Sequence, residues 1–138
     1  MSGSAPAGVI RVAAAVVTDD AGRYLLVRKR GTTAFMQPGG KIEPGEDPRA
    51  ALVRELAEEI SVDVAPEDLV ARGTHHAAAA NEPGHALVAE VFEVPGVLEP
   101  RTAAEIEEHV WVDPAEPGAV ELAPLTRDLL AAAARSPR

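Results

Sequence analysis

Three carboxylates in the stretch Gly40–Val62, GKIEPGEDPRAALVRELAEEISV, are spaced for shared work. Glu55, Glu58 and Glu59 stand at i, i+3 and i+4, which places them on one face of a helix. Such a trio repels itself by roughly 0.2–0.5 kcal/mol per pair. It also lies toward the negative end of the helix macrodipole, so both terms call for a cation. Arg54 supplies one positive charge. A hard divalent ion that takes carboxylate oxygens and water supplies the rest, and Mg²⁺ answers that description. A lone E-x-x-E-E is most often a solvated acidic face, so the surroundings of the trio decide.

Those surroundings are built to position it. Asp47 is a good N-cap, because its carboxylate accepts from a free backbone N–H, and Pro48 suits the first helical position. The helix is expected to end near Ile60, since β-branched residues follow at Val62 and Val64. Leu52, Val53, Leu56 and Ile60 fall on a different face from the acids and must pack inward. Upstream lies a Pro38-Gly39-Gly40 loop, then a turn at Pro44-Gly45. Gly39 and Gly40 lack Cβ, so backbone groups there can approach a neighbour closely.

The stretch resembles the Nudix box, G-x5-E-x7-R-E-U-x-E-E-x-G-U with U aliphatic. Gly40, Glu46, Arg54, Glu55, Leu56, Glu58, Glu59 and Val62 stand at the matching places; Ser61 departs from the family's Gly. The resemblance implies hydrolysis of a phosphoanhydride bond in a nucleoside diphosphate linked to another group, with Mg²⁺ as cofactor and Mn²⁺ as a substitute. It implies metal ligation by Glu55, Glu58, Glu59 and the carbonyl of Gly39. Arg54 would hold the carboxylates, paired with Glu46. Glu58 and Glu105 both qualify as general base, the latter because an acidic residue ahead of a Trp-bearing strand reaches back to the site in relatives. Gly40 and Lys41 of the loop join the substrate-binding set. Phe35 stands where relatives often carry Trp, either lining the substrate pocket or packing beneath the loop.

The rest of the chain frames this segment. A length of 138 residues suits one domain, with residues 1–8 read as a disordered tail and 9–138 as the domain. There is no cysteine, which excludes disulfides, and the net charge of −9 argues against binding nucleic acid polymers. No apolar run is long enough to span a membrane, and the N-terminal residues lack a basic leader, so a cytoplasmic location is expected. Val9–Thr18 reads as a buried strand and Asp19–Gly22 as a turn. Arg23–Lys29 reads as the returning strand. It delivers Arg28, Lys29 and Arg30 before the loop, where Arg28 and Lys29 suit contacts to substrate phosphates. Val62–Val64 reads as a short extended piece and Pro66–Leu69 as a helical turn. Val70–Ala80 and His85–Val94 read as a hairpin closed by Asn81–Gly84. His75 and His76 are adjacent on a strand, point to opposite faces and do not suit one metal. Trp111 belongs to the core, and 124–134 forms a last helix.

Interleaved strands and helices with apolar faces to cover imply an α/β sandwich, a mixed sheet between helices. PGGKIEPGE is close to the MutT-type enzymes that act on nucleoside triphosphates, including oxidised purine ones. By resemblance, a Pro of the ADP-ribose type, a Tyr of the diadenosine-polyphosphate type and a catalytic Cys of the isomerase type are missing from their places. A small nucleotide is the expected partner. The alternatives are a non-catalytic nucleotide-binding regulator, which would be expected to lose box acids, and a hydrolase of ADP-ribose or nucleotide sugars. A homodimer is common among relatives and has no signature in the sequence.

Overall fold

The computed structural model describes residues 8–79, 84–96 and 98–135. In chain order these form β1 (Val9–Val17), β2 (Tyr24–Lys29), β3 (Gly39–Lys41) and α1 (Pro48–Ile60). A 3₁₀ turn (Pro66–Asp68) follows, then β4 (Val70–Ala78), β5 (Ala86–Val94), β6 (Ile106–Val112) and α2 (Pro124–Arg135).

The Val/Ala run of β1 is apolar on both faces because both are covered. Ala13, Ala15 and Val17 face a core that includes Leu52, Leu56 and Ile60 of α1. Ala14, flanked by Val12 and Val16, faces Leu125 and Leu129 of α2. The sheet order is β3-β1-β5-β4, with β1 and β5 parallel and the other pairs antiparallel. A mixed sheet between two helices is therefore the architecture, as the sequence implied. β2 and β6 form a second, antiparallel pair. Leu25 and Val27 of β2 join the α1 side, while Leu26 packs with Leu130 of α2. Trp111 lies partly buried against the α1-side core.

Three local expectations change. Arg23–Lys29 returns from the expected turn, where the Asp19 carboxylate accepts from the N–H groups of Ala21 and Arg23. Beyond a Thr18–Tyr24 bridge, however, it pairs with β6 and not with β1. The edges of β1 are already taken by β3 and β5. The Gly-Gly loop is itself a strand, β3, paired to the middle of β1 through Ala14–Gly39, Ala13–Gly40 and Val12–Lys41. Val62–Val64 is not a strand. The β4–β5 hairpin stands; residues 81–83 of its connection and residues 1–7 of the N-terminal tail lie outside the described residues.

α1 begins as its sequence requires. The Asp47 side chain accepts from the Arg49 N–H at 2.8 Å. It ends on Ser61 in the left-handed region (φ 59°, ψ 36°), with the Ser61 N–H on the Leu56 carbonyl. A residue with a Cβ is strained there by about 1–2 kcal/mol relative to Gly. Ser61→Gly should therefore raise the unfolding free energy by about 1 kcal/mol and leave kcat nearly unchanged. Chemical denaturation checks it, and a neutral or destabilising result would show that the serine hydroxyl compensates the strain.

Candidate active site

The site is assembled where the last two turns of α1 meet β3. Arg54 is its hub. Its Nε and Nη2 donate to both oxygens of Glu46, at 3.1 and 2.9 Å. Its Nη1 donates to Glu55 at 2.8 Å and lies 3.8 Å from Glu58. This two-pronged contact spans the loop and the helix, which a Lys ammonium cannot reproduce. The guanidinium hydrogen bonds hold the Glu46 carboxyl below its usual range, and Glu46 in turn holds the Arg54 pKa up.

Gly39 and Gly40 fit against their neighbours only because they lack side chains. A Cβ on Gly39, which has φ +143°, would lie 2.1 Å from the Ala13 carbonyl oxygen. A Cβ on Gly40 would meet the Glu55 carboxyl carbon at 2.4 Å. Gly39 thus lets β3 lie against β1, and Gly40 lets it lie over the Glu55 carboxylate.

Glu59 is buried, at 6% exposure. It accepts a hydrogen bond from the Gly39 N–H at 3.2 Å. Residues 101–105 close over the end of α1: the N–H groups of Arg101 and Ala103 donate to the carbonyls of Ile60 and Glu59. Burial pushes the Glu59 carboxyl up to about 8; the Gly39 N–H opposes this, and Glu55 and Glu105 add repulsion. Burial also raises Glu55, against the pull of Arg54. Glu58 is the most open of the three acids, with 56% of its side chain exposed.

Glu105 follows Ala104, a non-glycine residue at φ +54°, in a turn whose Glu105 carbonyl accepts from the Arg30 N–H at 2.7 Å. Its carboxylate acts on Glu59, so the structure brings it within electrostatic reach of the helix acids.

Strand alternation separates the basic residues. Lys29 acts electrostatically on both Glu55 and Glu59, and it lines a cleft of about 120 Å³ together with Gly39, Gly40 and Lys41. Arg28 is engaged elsewhere: with Glu108 at 2.8 Å, with the Thr32 carbonyl at 2.7 Å, and over the Phe35 ring at 6.0 Å. Arg30 pairs with Glu107. Phe35 packs against the cluster of Leu26, Val112 and Leu130, the structural alternative of its two expected roles. Gln37 and Thr126, which no motif singled out, also meet at the cleft's end of α2. The only signal for Gln37 is an amide following apolar Phe35-Met36 just ahead of Pro38.

A model of the NUDIX domain matches residues 9–133. The chain belongs to the Nudix family. It is 33% identical over 128 residues to the CTP pyrophosphohydrolase of Escherichia coli K12, covering 90% of each chain. It is 40% identical over 58 residues to the 8-oxo-dGTP diphosphatase of Haemophilus influenzae, covering 39% of this chain and 43% of that one. Among solved structures it resembles a MutT Nudix hydrolase from Burkholderia pseudomallei, with TM-score 0.74 and 23% identity over 89% of this chain and 96% of that one.

The protein is accordingly a Nudix hydrolase, of a family of nucleotide pyrophosphohydrolases that use divalent cations. The donor set fits such an ion. Glu55, Glu58, Glu59 and the Gly39 carbonyl offer hard oxygen ligands, and a cation would offset the burial of Glu59. Among the described residues no three acidic or histidine side chains already converge as a cage. Arg54 draws Glu55 aside, and Gly39 holds Glu59. The role of Arg54 as a fork across Glu46 and Glu55 yields a prediction. Arg54→Lys keeps the charge and loses the fork, so kcat/KM should fall about 10–100-fold, as for other residues that orient metal ligands. Steady-state rates over a metal titration measure it; wild-type values would reduce Arg54 to a point charge.

Proposed function

We propose that this Nudix hydrolase is a Mg²⁺-dependent pyrophosphohydrolase that converts a nucleoside triphosphate to the monophosphate and pyrophosphate. The observation that carries the reading is the complete set of box acids gathered under β3 and braced by Arg54. The names of the relatives support the triphosphate, two of them acting on CTP and 8-oxo-dGTP. Bound Mg²⁺, or Mn²⁺ in its place, supplies polarisation of a phosphate oxygen and a lowered pKa for water.

The chain's own residues do the rest. Lys29 and Lys41 bring positive charge to the phosphates along the cleft. Gly39 and Gly40 hold the β3 backbone against β1 and the Glu55 carboxylate, which sets the edge of the cleft. Glu58, exposed and beside Arg54, takes the proton from the attacking water, with Glu105 as the second candidate. The water oxygen bonds to phosphorus, and the anhydride P–O bond breaks toward pyrophosphate. All box acids are retained, which supports catalysis over a purely regulatory role.

The test is release of the nucleoside monophosphate with Mg²⁺, followed by chromatography, across nucleoside triphosphates, oxidised purine triphosphates, ADP-ribose and nucleotide sugars. Turnover of triphosphates at least tenfold faster than of the others is expected. Preference for ADP-ribose or a nucleotide sugar would move the chain to another Nudix activity, and no turnover with any of them would overturn the hydrolase mechanism as written.

A further inference from the structure

Strands β2 and β6 keep one rhythm until they reach the site. Paired residues of this ribbon share a face: Leu25 and Trp111 lie on the α1 side, Leu26 and Val110 on the α2 side. Alternation along β2 then puts Lys29 on the α1 side with Leu25 and Val27. The same count along β6, from Trp111 through His109, brings Glu107 to that side and sets it opposite Lys29.

The register breaks just short of that pair. Arg28 faces Glu108, but Lys29 faces Ile106, so Glu107 is an extra residue with no cross-strand partner in β2. Ile106 takes the inner place, 3% exposed in the α1-side core. Glu107 is displaced to the surface, where its carboxylate accepts from Arg30 at 3.0 Å. The ladder resumes beyond the bulge, with the Arg30 N–H on the Glu105 carbonyl at 2.7 Å.

Both features bear on Lys29. Its opposite neighbour is an aliphatic chain without an oxygen, where an unbroken register would supply a carboxylate across a Cβ separation of about 5 Å. A bulge also bends its strand and raises the local twist, and bulges beside active sites re-aim side chains in this way. Lys29 acts on Glu55 and Glu59 and lines the cleft with Gly39 and Gly40.

We infer that Glu107 is a positioning residue: as the extra residue of β6 it turns the end of the ribbon so that the Lys29 ammonium reaches the helix acids and the phosphates in the cleft. This rests on the role given to Lys29 above and names what puts it there. Glu107 acts through Lys29 and does not touch the substrate. Its ion pair with Arg30 is exposed on both sides and contributes little.

The experiment deletes Glu107. The pairs Arg28–Glu108 and Lys29–Ile106 then follow one another as a regular ladder, so the deletion removes the bend and keeps the pairs and the core residues. kcat/KM for CTP should fall about tenfold or more, chiefly through KM, the worth of one hydrogen bond to a charged group. In a Lys29→Gln background the same deletion should cost less than about twofold, because the group it acts through is gone. Arg30→Ala removes the ion pair, keeps the bulge and should match wild type.

A second readout needs no turnover. Lys29 and Lys41 are the chain's two lysines, so reductive methylation with ¹³C gives two side-chain signals, assigned through Lys29→Gln. Mn²⁺ at the helix acids should broaden the Lys29 signal in wild type and in Arg30→Ala. In the deletion variant the broadening should be much weaker, measured against Lys41 as internal reference.

Equal broadening of Lys29 with and without Glu107 would overturn the inference and leave the hydrolase intact. So would a deletion whose loss persists in full in Lys29→Gln, or an equal loss in Arg30→Ala, which would assign the effect to the ion pair. A deletion variant that does not fold would make the extra residue a requirement of the fold, and would overturn the inference too. A wild-type Lys29 signal that stays sharp in Mn²⁺ would do so without the deletion. Broadening that the deletion removes, in a protein that cleaves no triphosphate, would support the positioning and sink the proposed activity instead.

Discussion

Glu58→Gln should lower kcat by about 10²–10⁴-fold, the usual worth of a positioned general acid or base. The side chain is about half exposed and packs nothing into the core, so the fold should survive the change. Arg54 touches it only at 3.8 Å, while its closer partners are Glu46 and Glu55, so the brace across the loop should also survive. The loss should appear in kcat at saturating Mg²⁺. Activity within tenfold of wild type would show that Glu58 is neither ligand nor base. Glu105→Gln is the companion measurement. A comparable loss there would shift proton removal to the turn after Ala104, and an unchanged rate would leave Glu105 as a carboxylate that only repels Glu59.

The second large effect links pH, metal and stability through Glu59. Its folded pKa of about 8 exceeds the ordinary carboxyl value of 4.5, chiefly through burial. A group raised in this way binds its proton more tightly in the folded chain. Its stabilising contribution is complete below pH 4.5 and is lost as pH rises through about 8. Glu55, also raised, acts in the same direction. In EDTA the wild type should therefore lose a few kcal/mol between these limits, a fall in Tm on the order of 10 °C for a domain near this size.

Mg²⁺ favours the ionised carboxylate, so its gain in Tm should grow with pH. At a hundredfold excess over Kd that gain is about 2.7 kcal/mol. Glu59→Gln keeps an oxygen for the Gly39 N–H and removes the titration. Its profile in EDTA should be flatter, with the remaining slope from Glu55, and it should gain little from Mg²⁺. Thermal unfolding of both proteins from pH 5 to 8.5, with EDTA or millimolar Mg²⁺, is the measurement. Parallel pH profiles in EDTA would show that Glu59 is not the source of the slope, and equal Mg²⁺ shifts would place the cation away from this helix face.

The amino-acid order by itself determined the chemistry and its local scaffold. The spacing of Glu55, Glu58 and Glu59 needs only a helical repeat. Asp47 and Pro48 start that helix, and Ser61 ends it in the left-handed conformation, through bonds spanning a few residues. The reach from Arg54 to Glu46 was legible for the same reason, since both belong to one contiguous motif. The sandwich followed from the apolar faces that had to be covered.

Tertiary structure decided what depends on segments distant in the chain. Strand β2 left its sequence neighbour for β6, because the edges of β1 were occupied. Of the three basic residues at its end, Lys29 reached the acids while Arg28 met Glu108, a partner eighty residues away. The sequence placed Glu59 among the expected metal ligands without distinguishing its exposure from that of Glu55 and Glu58. Glu59 is buried where the Gly39 N–H meets it and residues 101–103 close over the end of its helix. Gln37 found its hydrogen-bond partner in the Thr126 hydroxyl, 89 residues further on. Local periodicity carries no information about which distant group will remove water from a side chain or satisfy it, and that is what sets the charge of Glu59 and the orientation of Gln37.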